Sequence, residues 1–144
     1  MKTARVILAF DFGHRRIGVA CGDTISRNAE ALKALPATAA GPGWESIEAL
    51  MREWRPDLAV VGLPYNADGS ESSMTGDARS FAAQLQARFS LDVELVDERY
   101  SSMDAGARLK SERESGLRKR RVAKADIDAV AACIILERWF TEHN

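Results

Sequence analysis

Three acidic positions stand out because of the segments they interrupt. Asp11 closes the apolar run Val6-Ile7-Leu8-Ala9-Phe10, and an ionised carboxylate there is costly unless it is paired or binds a cation. Asp97-Glu98-Arg99 follows the alternating segment Val93 to Val96, at the carboxyl end of a strand, where ligand sites of open α/β sheets gather. Asp126 and Asp128 open an alanine-rich segment that runs to Ala132, whose small side chains let a helix approach a sheet closely. Carboxylates gathered at strand ends and a helix start suit hard divalent cations such as Mg²⁺ or Mn²⁺, which take oxygen ligands and keep several waters. Two such ions about 4 Å apart can activate water and stabilise the leaving oxygen of a phosphodiester. That chemistry needs neither histidine nor cysteine. The chain has two of each: His14 and His143 read as solvated, and Cys21 and Cys133 as reduced core residues. A zinc site is disfavoured on the same ground.

Each acid also has an ordinary explanation. Asp11 can cap the turn that Gly13 permits, Glu98 can pair with Arg99, and acids near a helix N-terminus suit its dipole. Strand alternation sends Asp97 and Glu98 to opposite faces, so only one easily enters a given site. Asp126 is the better placed of its pair for capping. The loop Gly62 to Glu71, with Arg79 beyond it, could present backbone N–H groups to a phosphate or simply connect a strand to a helix.

The elements that would position these groups follow from patterning. The first apolar run reads as a strand buried on both faces, then a tight turn, then a paired strand Ile17 to Cys21. A weaker strand spans Ala29 to Leu35, closed by Pro36, and Thr38 to Gly43 reads as a loop. Trp44, Ile47, Leu50, Met51 and Trp54 recur at helical spacing, with the helix ending before Pro56. Leu58 to Leu63 is another buried strand. A loop from Asn66 to Thr75 then leads to a helix through Phe81, Leu85 and Phe89, the strand Val93 to Val96, a helix from about Met103 to Lys110, and a last helix from about Asp126 to Thr141. An antiparallel opening followed by strand–helix alternation predicts an α/β fold: a five-stranded mixed sheet, hairpin strands plus parallel strands, flanked by helices. With no repeat and no linker, residues 1–144 read as a single domain.

Bulk properties narrow the class. A 46% hydrophobic, 28% charged composition is ordinary globular, with no run of the roughly 18 apolar residues that span a bilayer and no secretion signal after Met1, so a cytoplasmic protein is expected. The net charge of −1 hides an asymmetry: Arg99 to Lys124 holds nine basic residues against three acids, so this segment carries +6 and the remainder −7. Such a segment is the footprint of phosphate binding, or else a solvated loop. Arg15, Arg16, Arg99, Arg118, Lys119, Arg120, Arg121 and Lys124 are the candidate nucleic-acid contacts.

These blocks resemble the YqgF family, a bacterial branch of the RNase H-like superfamily described as Holliday junction resolvases and as nucleases of the small-subunit rRNA precursor. The resemblance rests on Asp11 to Ala20, Val61-Gly62-Leu63-Pro64 with Asp68-Gly69-Ser70-Glu71, Asp97-Glu98-Arg99, and Lys124 to Leu136, in order along nearly the whole chain. It implies an RNase H-like fold, divalent-metal dependence, and catalytic, metal-holding acids at Asp11, Glu98 and Asp128. It thereby selects Glu98 over Asp97 and Asp128 over Asp126. His14, Tyr100-Ser101-Ser102 and Cys21-Gly22-Asp23 depart from the usual pattern without removing an acid.

The leading expectation is a Mg²⁺- or Mn²⁺-dependent nuclease acting on structured precursor rRNA, in 5′-end maturation of the small subunit, with ribosomal particles as partners and no membrane. A resolvase of four-way DNA, working as a homodimer where the RNA nuclease could be a monomer, is the alternative within enzymes. A non-catalytic nucleic-acid-binding protein would use the basic segment alone. An actin-like ATPase also begins with Asp-x-Gly, but needs two such domains to enclose its nucleotide.

Overall fold

The opening apolar run forms β1 (Val6–Asp11), and its burial on both faces follows from its central place, with a paired neighbour on each side. Residues 12–15 turn the chain into β2 (Arg16–Asp23), antiparallel to β1 with Asp11 opposite Gly18. β3 (Ala29–Thr38) runs antiparallel to β2, and the two-residue β4 (Gly41–Pro42) pairs with its end. There follow α1 (Trp44–Trp54), β5 (Leu58–Leu63), α2 (Ser73–Phe89), β6 (Asp92–Asp97), α3 (Ser101–Glu114) and α4 (Lys124–Glu142). The sheet order is β4-β3-β2-β1-β5-β6, with β5 and β6 parallel to β1. This computed structural model describes residues 5–38, 40–98, 101–114 and 124–143.

The mixed sheet therefore has six strands among the described residues, not five. The sixth is missed because Pro36 does not close β3. Ala37 N–H donates to the Arg15 carbonyl on the β2 side, whereas the Pro36 carbonyl accepts from Gly43 N–H on the other side. The imide nitrogen thus faces the outer edge, where a strand tolerates proline. β3 runs on to Thr38, and Gly41, at φ +123°, turns the chain back to pair with it.

Helix ends follow local chemistry. α1 stops at Arg55, which takes the left-handed conformation ahead of Pro56 and donates its N–H to Met51 O at 2.8 Å. α2 begins at Ser73, earlier than the apolar spacing suggests, because Ser72 and Thr75 bond each other's backbone N–H groups in a capping box. α4 begins at Lys124, so Asp126 lies inside its first turn and not at its cap, and Asp128 falls in the second turn.

The sheet separates two cores. On one face Leu8, Phe10, Ile17 and Val19 pack against Ile47 and Leu50 of α1 and Phe81 and Leu85 of α2. On the other, Ile7, Ala9, Ala20, Leu58 and Val60 meet Ala132, Ile135, Leu136 and Phe140 of α4. Each fully buried Leu, Ile or Phe stabilises the fold by roughly 1.5–3 kcal/mol. α3 packs on the outside of α4 through Ala105, Ala131 and Ile134. Among the described residues no helix is long and apolar enough to cross a membrane.

Candidate active site

Strand parity decides where Asp11 points. Ile7 and Ala9 face α4, so Asp11, two residues on, shares their face and ends β1 beneath the start of that helix. Opposite it on β2 is Gly18, where a Cβ would lie 1.9 Å from the Asp128 carbonyl oxygen. Only glycine lets the α4 backbone come down onto the sheet here, and that approach delivers Asp128 beside Asp11. Glu98 arrives from the other direction. Its N–H continues the β5–β6 ladder onto Leu63 O at 3.1 Å, and its side chain lies over Gly62, where a Cβ would come within 2.8 Å of the Glu98 Cγ. Two glycines on neighbouring strands of the central acid thus make room for the other two.

Asp11 and Glu98 are 9% and 6% exposed and share a side-chain hydrogen bond. Two carboxylates cannot make that bond unless one holds a proton. Burial pushes the Asp11 carboxyl up to about 7, with the hydrogen bond from Glu98 opposing and the charge of Asp128 adding to the rise. Burial also pushes Glu98 up, to about 9, helped by the charge of Asp11 and its hydrogen bond and opposed by the Arg138 guanidinium. Two acids that repel each other in a desolvated site will hold either a shared proton or a cation.

Asp128 is held differently. Arg16 Nε donates to Asp128 Oδ2 at 2.6 Å, and the two side chains are 35% and 22% exposed. Arg16, expected to meet a phosphate, therefore has a carboxylate as its immediate partner. Consistently, no three His, Cys, Asp or Glu side chains among the described residues form a ready metal cage. The donor set nevertheless suits a hard divalent cation. It is all oxygen, it is desolvated, and its two buried members are charged only at a cost that a cation would offset.

The remaining sequence candidates are dispersed. Arg15 is exposed on the β1–β2 turn, and Lys124 is exposed at the first residue of α4. Arg99, Arg118, Lys119, Arg120, Arg121 and Tyr100 lie outside the described residues. Cys21 and Cys133 are buried free thiols, while His14 pairs with Asp77 and His143 with Glu94. The Gly62 to Glu71 loop is tied to itself: Asp68 Oδ1 accepts from Ser70 N–H at 2.9 Å, and Arg79 donates to Glu71 and to the Tyr65 hydroxyl. Arg138 was not a sequence candidate. It donates to the Asp97 carbonyl at 2.7 Å, fixing the backbone just before Glu98. Its signal was a cation following the apolar stretch Ile134-Ile135-Leu136 of the last helix.

A family model described as "RuvX: Holliday junction resolvase" matches residues 5–142. A Yersinia enterocolitica protein named "Putative pre-16S rRNA nuclease" is 46% identical over 138 residues, 96% of each chain. A protein of the same name from Edwardsiella ictaluri is 46% identical over 136 residues, 94% of each. Among solved structures, T. thermophilus RuvC in complex with a Holliday junction substrate superposes with a TM-score of 0.57 at 15% identity, covering 96% of this chain and 95% of that one.

Proposed function

The chain belongs to the RuvX family, the YqgF branch that its motifs resemble, and from that membership we propose that it is a divalent-metal-dependent nuclease that matures the 5′ end of precursor 16S rRNA. Its fold is RNase H-like, with six strands among the described residues in place of the five expected. The observation that carries the reading is the buried, hydrogen-bonded pair Asp11 and Glu98 with Asp128 alongside, at one end of the sheet. The name shared by the 46% identical relatives supports the RNA substrate.

Asp11, Glu98 and Asp128 would hold Mg²⁺ or Mn²⁺. When bound, the cation supplies Lewis-acid stabilisation of the charge that develops on the phosphodiester during hydrolysis. The protein's share is electrostatic preorganisation. Burial of Asp11 and Glu98 keeps competing water away, and their raised proton affinity is the measure of how strongly they seek a positive charge. Arg16 holds Asp128 in place in the free protein. With a cation held by the acids, the Arg16 guanidinium would be available to a substrate phosphate, alongside exposed Arg15 and Lys124 and the basic residues Arg99 and Arg118 to Arg121. Such contacts give affinity without sequence information. The reading places this activity on one domain over residues 1–144, in the cytoplasm, on ribosomal precursor particles.

The test is incubation of precursor 16S rRNA with Mg²⁺ or Mn²⁺, comparing the parent with Asp11→Asn. The parent is expected to cut and the variant to lose at least about 1,000-fold in rate, a loss of roughly 4 kcal/mol in transition-state stabilisation. Equal cutting by both would reject the site assignment. The family description and the RuvC likeness favour a second reading, resolution of four-way DNA. Paired cuts in a junction call for two active sites related by a two-fold axis. Preference for junction DNA by a dimer, over precursor RNA, would select it.

A further inference from the structure

A cleft of about 440 Å³ lies on the sheet face opposite the three acids, between the β1–β2 turn and α2. Its inner wall is the partly buried Phe12 ring, with Phe81, 1% exposed, packed behind it. The Phe12 and Phe81 ring centroids are 5.1 Å apart, and Phe12 meets the His14 ring edge-on at 6.0 Å. Exposed Ser80 and Gln84, one helical turn apart on α2, place a hydroxyl and an amide on the rim, with Gln84 Nε2 3.3 Å from Ser80 Oγ. At the mouth His14 Nε2 and Asp77 Oδ2 are 2.7 Å apart. The far wall is the end of β3 with β4, and the turn beside it is tight, since a Cβ at Gly13 would lie 2.7 Å from the Arg16 carbonyl oxygen.

Three features restrict what the cleft can take. An aromatic wall facing a polar rim suits a flat heteroaromatic ring, which can stack on one side and hydrogen-bond at its edge. The Asp77 carboxylate at the mouth disfavours a phosphate and tolerates a neutral base. Continuity with the acids is covalent, since Phe12 directly follows Asp11 and consecutive Cα atoms are about 3.8 Å apart. A strand draped over the end of β1 thus passes both the acids and the cleft.

We propose that this cleft receives one unpaired nucleobase, from a nucleotide flanking the phosphate presented to Asp11, Glu98 and Asp128. The inference rests on the nuclease reading and deepens it. The substrate must be unstacked beside the cut, so a continuous duplex is a poor substrate and a junction of paired and unpaired nucleotides a good one.

The test reads binding without metal, in EDTA. A short single-stranded oligonucleotide bearing one 2-aminopurine, and its counterpart with an abasic residue at that position, are titrated into the parent and into Ser80→Trp, which fills the cleft from its exposed rim. Fluorescence of the base and backbone amide shifts are followed. The parent is expected to bind the base-bearing strand about 10-fold more tightly than the abasic one, the effect of one base stacked on an aromatic side chain, with shifts at Phe12, Ser80 and Gln84. Ser80→Trp is expected to erase that difference while keeping its affinity for the abasic strand. Gln84→Leu, which leaves the volume open, should shrink the difference to about 3-fold by removing one hydrogen bond of roughly 0.7 kcal/mol. Equal affinity for both strands, no binding of either, or shifts confined to other residues would overturn the cleft and leave the nuclease reading standing. A parent that binds with the base-dependent difference yet cuts neither precursor rRNA nor junction DNA would instead overturn the nuclease reading.

Discussion

The two faces of the sheet are packed by opposite rules. Against α1 and α2 the contact is thick and aromatic: Phe10 meets Phe81 edge-on, Phe81 stacks on Trp44, and Arg88 lies 4.0 Å above the Trp44 ring. Against α4 it is thin at the site end, where Gly18 lets the helix backbone at Asp128 and Ala129 come down onto the sheet, and thickens beyond it through Ile135, Leu136 and Phe140. The thick face carries no acid of the site, although each face buries a core of its own. The thin face brings a helix backbone close enough to set Asp128 beside Asp11. Small residues here act by position, because each missing Cβ is a place where another element's functional group fits.

That contrast can be broken most forcefully from the thick side. Leu85→Ala empties a fully buried position and is expected to cost about 2–5 kcal/mol in chemical denaturation, with cleavage per folded molecule unchanged. Loss of specific activity in the folded fraction would show that the thick face also shapes the site. Gly18→Ala tests the thin side. Its Cβ cannot coexist with the Asp128 carbonyl, so α4 must lift; the expected cost is about 1–3 kcal/mol, with cleavage falling by at least about 10-fold beyond the loss of folded protein. A variant as active as the parent would mean that the close approach is not what places Asp128.

The smallest effect has the opposite sign. The folded proton affinities of Asp11 and Glu98 are raised above their unfolded values, so the folded protein holds protons that the unfolded chain releases. The pair's contribution to the stability of the metal-free protein is then greatest in mild acid. It falls as pH climbs from the ordinary carboxylate range, near 4, towards about 9. Glu98→Gln removes that liability: a few degrees are expected in melting temperature at pH 8, with a flatter pH profile and no cleavage. A melting temperature unchanged between pH 5 and 8 in the metal-free parent would contradict the buried pair.

Much of this was legible in the chain because apolar periodicity reports burial directly. β1, β5 and the α1 stripe follow from it, and the order of elements with them. The three acids were visible as interruptions, but choosing Glu98 over Asp97 and Asp128 over Asp126 needed the family resemblance, since both members of each pair satisfy the local rules. What stayed hidden depends on partners far along the chain. Pro36 suggests a strand end until its carbonyl is seen bonded to Gly43. Arg16 suggests a phosphate contact until Asp128, carried in by the last helix, takes its Nε. Gly18 and Gly62 look like ordinary strand glycines, because nothing local reveals what lies above them. Phe12 gives no local sign of a cleft, whose far wall is the end of β3 with β4.

The position of α4 in the chain has a consequence for timing. Asp11 stands on the first strand and Asp128 on the last helix, so a polypeptide growing from its N-terminus carries the first acid long before the element that completes the site. Contacts this distant in sequence form late. Under the proposed assignment, the emerging chain is expected to be inert toward RNA until α4 docks and completes the three acids.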